Sequence, residues 1–179
     1  MEKFTLDQSH SEIGFKVRHL GISSVKGTFR YYDVKIEGDS VQDLVVKFSA
    51  NVSSIYTNNE GRDAHLTTGD FFDADNYPTI EFTSERINLT EDMVIKGFLT
   101  IKGVTRPVEL NFEYNGAESD PWGSEKHGIE IYGSINRTDY GLVYNSILES
   151  GGVLIGDEVK LNIDIQVLEN VTEMSEVEI

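Results

Sequence analysis

Four histidines, an adjacent Arg62-Asp63 pair and the aromatic doublets Tyr31-Tyr32 and Phe71-Phe72 are the residues here best suited to form a site. His10, His19 and the Asp63-x-His65 step could converge on a zinc ion, which takes three or four ligands. The helical spacing His-Glu-x-x-His is missing, however, and the chain has no cysteine. That absence removes disulfides, thiolate metal sites and a cysteine nucleophile together. The histidines, His127 included, read better as hydrogen-bonded residues of loops or of a lined interior, and no metal ligand or cofactor is assigned. Serine hydrolysis lacks its Gly-x-Ser-x-Gly elbow, and His10-Ser11, being neighbours, point to opposite faces of a strand. Gly151-Gly152-Val153-Leu154-Ile155-Gly156 has neither the Gly-x-Gly-x-x-Gly spacing nor the Lys-Ser/Thr of a phosphate loop. Carboxylate pairs such as Asp73 and Asp75 are expected among 31 acids and read as solvated surface.

Gly61-Arg62-Asp63-Ala64-His65-Leu66 is the polar cluster of most interest. Arg62 could meet an anionic or carbonyl-bearing head group at a cavity mouth. The same residues could instead form an ion network that holds a helical insert in place. A catalytic reading would pair His65 with Asp63 in a lipid hydrolase or isomerase. Phe71 and Phe72 could line a lipid-binding space or fill a dry core.

The elements that must position these residues are strands. Val159, Leu161, Ile163, Ile165 and Val167 alternate with Lys160, Asn162, Asp164 and Gln166, the period of a strand half buried against one interior. The pattern recurs at Ile13 to Val17, Leu44 to Val52, Val108 to Tyr114 and Ile129 to Ile135. Weaker versions run from Thr28 to Ile36, Ile80 to Leu89 and Met93 to Ile101. The links are short and polar, so the strands pair antiparallel. Strands this long avoid exposed edges by closing. The expected fold is therefore all-β, an extended eight-stranded antiparallel barrel. Two inserts interrupt it. Residues 54–78 should carry a short helix from Glu60 to Leu66, capped by Asn58 or Asn59. Residues 138–156 form a second loop or helix insert, and inserts of this length are often lids or binding loops.

Composition narrows the function classes. A chain of 179 residues with 39% hydrophobic residues makes one domain with one core or one lined cavity. Fifteen basic against 31 acidic residues give a net charge of −16. That charge excludes a nucleic-acid surface and allows at most transient contact with an anionic membrane. No basic segment followed by an apolar one comes after Met1, so the expected address is the cytoplasm. The barrel domain is expected over residues 1–168, with an acidic, frayed tail over 169–179.

Several ordered motifs bear a resemblance. Leu6-Asp7-x-x-His10-Ser11, Val17-Arg18-His19-Leu20-Gly21 and Val25-x-Gly27-x-Phe29 open the series. Arg62-Asp63-x-His65-Leu66, Asp70-Phe71-Phe72-Asp73 and Tyr77-Pro78 follow. Then come Gly97-x-Leu99-Thr100-Ile101-x-Gly103-Val104-Thr105-Arg106-Pro107 and Asp120-Pro121-Trp122-Gly123. Ile135-Asn136-Arg137-x-Asp139-Tyr140-Gly141-Leu142 and Gly156-Asp157-x-Val159 complete it. Over residues 3 to 168 the chain thus resembles the YceI-like family. The resemblance implies a lipocalin-like barrel with a long interior pore, holding a polyisoprenoid or a related long-chain amphiphile without a catalytic reaction. Many family members are exported to the periplasm; this chain departs from them in showing no leader, and its acidic tail lies outside the shared pattern.

With that resemblance, alternation offers Phe15, Val17, Phe29, Phe48, Phe82, Phe98, Leu110, Phe112, Ile131 and Ile163 as apolar walls, joined by Phe71. His10, His19, Arg62 and His65 are the candidates for a polar end, with Arg137 and Asn145 behind them. A pyrophosphate would require arginine, whereas a quinone would be satisfied by histidine and asparagine donors. The expected partner is a long-chain isoprenoid, quinone or fatty-acid-like lipid, with a homodimer compatible. The rival readings are the His65/Asp63 enzyme and a ligand-free interaction module.

Overall fold

A computed structural model describes residues 2–170. Along the chain come β1 (Phe4–Leu6), β2 (Glu12–His19), β3 (Ser23–Phe29), β4 (Tyr32–Ser40), β5 (Asp43–Asn51) and β6 (Ile55–Tyr56). Helix α1 (Glu60–Leu66) follows, then β7 (Thr79–Ser84), β8 (Val94–Ile101), β9 (Val104–Ser119), β10 (Glu125–Asn136) and β11 (Ile155–Glu169). Every pairing is antiparallel, and β1 closes the ring by pairing with both β11 and β4.

The closed barrel has eight strands, three of them broken in two. β1 and β2 lie end to end along β11, separated by a single 3-10 turn at Gln8–His10. Asp7 caps that turn by accepting from the Ser9 amide, and it also accepts from the Gln166 side chain on β11. β3 and β4 form one bent strand, with β2 and β1 on one side and β6 and β5 on the other. At the bend, Arg30-Tyr31, the inward face changes parity. Phe29 is buried, Tyr31 faces solvent, and the inward positions resume at Val34 and Ile36. This explains why alternation between Thr28 and Ile36 is weak in the sequence.

The core divides by height. One cluster, around Ile13, Phe29, Ile55, Phe71, Ile101 and Tyr140, lies at the end that carries α1. The other, around Phe4, Leu44, Ile87, Leu89, Phe112 and Val167, lies at the opposite end. Helix α1 matches its expected span; Asn59 is the cap, accepting from the Arg62 amide, and Asn58 before it has φ of 62°. The second insert begins with a 3-10 turn at Arg137–Tyr140 and is otherwise irregular. The expected boundary at residue 168 moves slightly. Glu169 is the last residue of β11, opposite Phe4 and Glu125, and the Asn170 amide bonds to the Lys3 carbonyl. Residues 171–179 of the expected tail lie outside the described residues.

Candidate functional site

Between the two clusters lies a cavity of about 440 Å³, within the roughly 300–1,000 Å³ typical of small-molecule sites. Its lining reaches from Phe4, Leu44 and Leu89 at one end to His19, Arg62, His65 and Tyr144 at the other. Aliphatic side chains from β2, β4, β5, β8, β10 and β11 make up most of it. Among its lining residues, only Arg18 and Tyr144 are solvent-exposed, and both stand at the α1 end. The cavity meets solvent there.

Glycines keep the interior open. Phe15 faces Gly27 across β2 and β3, and a Cβ on Gly27 would stand 2.3 Å from the ring. Phe82 lies over Gly97 in the same way, at 2.6 Å, and Leu110 over Gly133, at 2.8 Å. Phe15, Phe82 and Leu110 all line the cavity. Each large side chain lies flat in the gap that a missing side chain leaves, rather than projecting across the space.

The polar groups gather at the open end. Arg62 donates from Nε to the Thr57 hydroxyl and from Nη2 to the Thr57 carbonyl, at 2.8 and 2.7 Å. Asp63 accepts from the amide and hydroxyl of the same Thr57. Both expectations for this pair thus meet in one place: the network holds α1 on the barrel, and the guanidinium lines the cavity. No carboxylate of the described residues lies within 4 Å of it. His65 bonds through Nε2 to Asp70 at 2.8 Å, and its ring meets Phe71 and Tyr144 edge-on at 5.0 and 5.1 Å. Those contacts join the two inserts over the mouth. The His65–Asp63 pair that a catalytic reading needs is not formed.

Arg137 is 4% exposed. It donates to the carbonyls of Gly156, Leu142, Tyr144 and Ile155 and sits 3.5 Å from Asp157. Burial lowers its pKa, and Asp157 opposes that shift. It pins the second insert to the start of β11 while one face lines the cavity.

At the closed end, His127 is buried between the Tyr114 hydroxyl, 2.6 Å from Nδ1, and Glu169, 2.8 Å from Nε2. Burial raises the Tyr114 pKa, and the charges of Glu125 and Glu169 raise it further. Among the described residues, Glu125, His127 and Glu169 are the group whose donor atoms lie close enough together, within 4.8 Å, to hold a metal. Both nitrogens of His127 already have protein partners, so the group reads as a polar bridge between β9, β10 and β11.

Of the residues singled out in the sequence, Phe15, Val17, His19, Phe29, Phe48, Arg62, His65, Phe71, Phe82, Leu110, Ile131, Arg137 and Ile163 line the cavity. Four stand elsewhere. Phe98 is 54% exposed, because the inward residues of β8 are Ile95, Gly97, Leu99 and Ile101. The glycine hides that parity from a reading of apolar letters. His10 lies outside on the 3-10 turn, bonded to Asp7 at 2.8 Å. Asn145 holds both the amide and the carbonyl of Ile155, a backbone clasp within the insert. Phe112 is buried in the closed-end cluster without reaching the cavity. The lining also includes residues not singled out, His127 and Tyr144 among them. His127 interrupts the apolar face of β10, a signal legible in the letters; Tyr144 lies in an irregular insert, where no periodicity marks it.

Comparison with known proteins decides the family. The YceI-like domain model matches residues 4–167. The chain belongs to the YceI-like family. A UPF0312 protein of Staphylococcus aureus is 43% identical over 163 residues, covering 89% of this chain and 94% of that one. The YCEI protein of Campylobacter jejuni is 34% identical, with a TM-score of 0.69 over 96% of this chain and 100% of that one. A polyisoprenoid binding domain from Saccharophagus degradans, implicated in plant cell wall breakdown, shares the fold. Its TM-score is 0.70 at 14% identity, covering 95% of this chain and all of that domain.

Proposed function

We propose that this YceI-like protein binds and carries a single long-chain isoprenoid or similar amphiphile without chemically altering it. The tail lies along the aliphatic cavity, and the head group rests at the open end beside Arg62, His65 and His19. The observation that carries this reading is the cavity itself: its walls are aliphatic and aromatic, its open end holds the Arg62 guanidinium with no carboxylate partner among the described residues, and glycines keep it from filling. The same observation weighs against a ligand-free interaction module, which needs a packed interior.

Energetics favour exchange over capture. At about 0.8 kcal/mol per buried CH₂, drawing several isoprene units out of water would pass the practical affinity ceiling of roughly −20 kcal/mol. In a membrane the tail is already dry, so transfer between bilayer and barrel lies near balance and runs both ways. A carrier or reservoir requires that balance.

The catalytic alternative lacks its dyad: Asp63 is held by Thr57, and His65 by Asp70 on the exposed side.

The test is mass spectrometry of organic extracts from purified protein, paired with uptake of labelled prenyl lipid from vesicles. A stoichiometric, unmodified long-chain lipid and measurable uptake are expected. Empty extracts with no uptake would overturn the reading, and a chemically altered lipid would point to an enzyme.

A further inference from the structure

The open end of the barrel has a surface unlike the rest of this acidic protein. Two tips frame the cavity mouth: the β2–β3 turn and the insert between β10 and β11. Ile22 in the turn is 81% exposed; Val143 and Ile147 in the insert are 66% and 82% exposed. Large apolar side chains held this far into water mark a contact site when they are contiguous. The two segments that carry them are joined, since the Leu20 amide bonds to the Leu154 carbonyl at 2.9 Å and Ile147 bridges to Val153, and Leu20 and Val153 are themselves exposed. Charge is depleted in the same two segments. Over residues 140–156 Glu149 is the single charged side chain, and residues 20–25 hold none, in a chain where 26% are charged. Tyr144 stands between the patch and the cavity, exposed on one side and lining it on the other. Its amphipathic ring suits the boundary between headgroups and hydrocarbon.

We infer that this rim docks on the surface of an electrically neutral lipid bilayer, so that the cavity mouth opens directly into it. The inference rests on the reading of the cavity as a lipid site and adds to it the face that meets the lipid source. A bilayer fits for two reasons. The patch borders the mouth of an apolar cavity, where an apolar guest must arrive. Its two segments, residues 20–25 and 140–156, also hold no lysine or arginine with which to meet an anionic surface, while a net charge of −16 repels such a surface. Insertion of a few apolar side chains gives weak, reversible attachment.

The experiment is co-sedimentation with phosphatidylcholine vesicles of the full chain, the Ile22→Asp/Ile147→Asp double variant, and Trp122→Asp as control. Trp122 is 85% exposed, but it lies in the β9–β10 turn at the closed end. The full chain and Trp122→Asp are expected to sediment alike, with the double variant reduced roughly tenfold or more. Equal sedimentation of the double variant, or none of the full chain, would overturn the inference. So would a dimer in sedimentation velocity that the double variant turns into a monomer, because a second copy would then cover the rim. Uptake of labelled prenyl lipid from detergent micelles separates the two readings. Uptake by both proteins, with vesicle binding lost only in the double variant, supports docking; vesicle binding without uptake by either leaves docking standing and removes the cavity's proposed cargo.

Discussion

Phe15 and Gly27 face each other across β2 and β3, and the ring fills the space a side chain on residue 27 would need. The glycine is there for room and not for backbone freedom, since its φ is not among the positive ones. Gly27→Val is therefore expected to push the ring into the cavity. Overpacking of this kind costs about 1–3 kcal/mol. The decisive readout is ligand capacity, which should fall while the far-ultraviolet circular dichroism stays that of a barrel. Phe15→Leu in the same chain should restore part of the capacity; restoration of none would mean that the ring does not gate the space.

Arg62 is expected to show two separable effects. Its bonds to Thr57 hold α1, and charged hydrogen bonds contribute about 1.5–3 kcal/mol each at most. Arg62→Ala should lower the melting temperature and weaken an anionic prenyl lipid far more than a neutral one. Arg62→Lys keeps the charge and loses the two-point grip. It should recover the lipid preference but not the stability, read by calorimetry and by competition between the two lipids. Equal loss for both lipids in Arg62→Ala would contradict a charge-reading role.

Arg137→Met removes the guanidinium donor from the carbonyls of Leu142, Tyr144 and Gly156, while the Ile155 carbonyl keeps the Asn145 amide. A buried acceptor left alone costs about 1–3 kcal/mol, and the loss should appear first in the insert. Hydrogen exchange is expected to accelerate across residues 142–155 before it changes in β8 or β9. Uniform acceleration over the whole barrel would show that the insert is not a separate unit.

Asp7 gives a sign for acid sensitivity. The Ser9 hydroxyl is the largest influence holding its carboxyl below the ordinary value of 3.8, with burial opposing and His10 and Lys126 adding to the lowering. A depressed carboxylate stabilises the fold fully above its unfolded value. As pH falls, the unfolded chain takes up the proton first, and the contribution is gone once pH drops below the folded value. Denaturant midpoints measured from pH 6 down to pH 2 should therefore show Asp7→Asn losing stability at the high end and less acid dependence than the unsubstituted chain. Parallel curves would show that Asp7 titrates alike in both states.

Much of this was legible in the letters where one period repeats without interruption. The face of β11 from Val159 to Val167 is read correctly position by position, and α1 appears with its expected bounds because Asn59 is a good cap. Reading fails where glycine stands in for a large residue. On β8 the inward series runs through Gly97, so Phe98 looks like a wall residue and is not one. It fails again where side chains serve the backbone. Arg137 opens the irregular second insert and Asn145 lies within it, and no spacing says that Asn145 clasps Ile155 while Arg137 also borders the cavity. His10 belongs to a turn whose role is set by Asp7 and by Gln166, 156 residues further along the chain.

Among the described residues, the buried floor around Phe4, Leu44, Ile87 and His127 leaves the barrel one doorway, beside Arg18 and Tyr144. On the carrier reading proposed above, a guest that enters tail first would leave head first along the same line, and cargo would not pass through the barrel from a donor on one flank to a recipient on the other. Each delivery would then require the whole molecule to detach, tumble and present the same door again, and one guest would have to depart before the next is admitted.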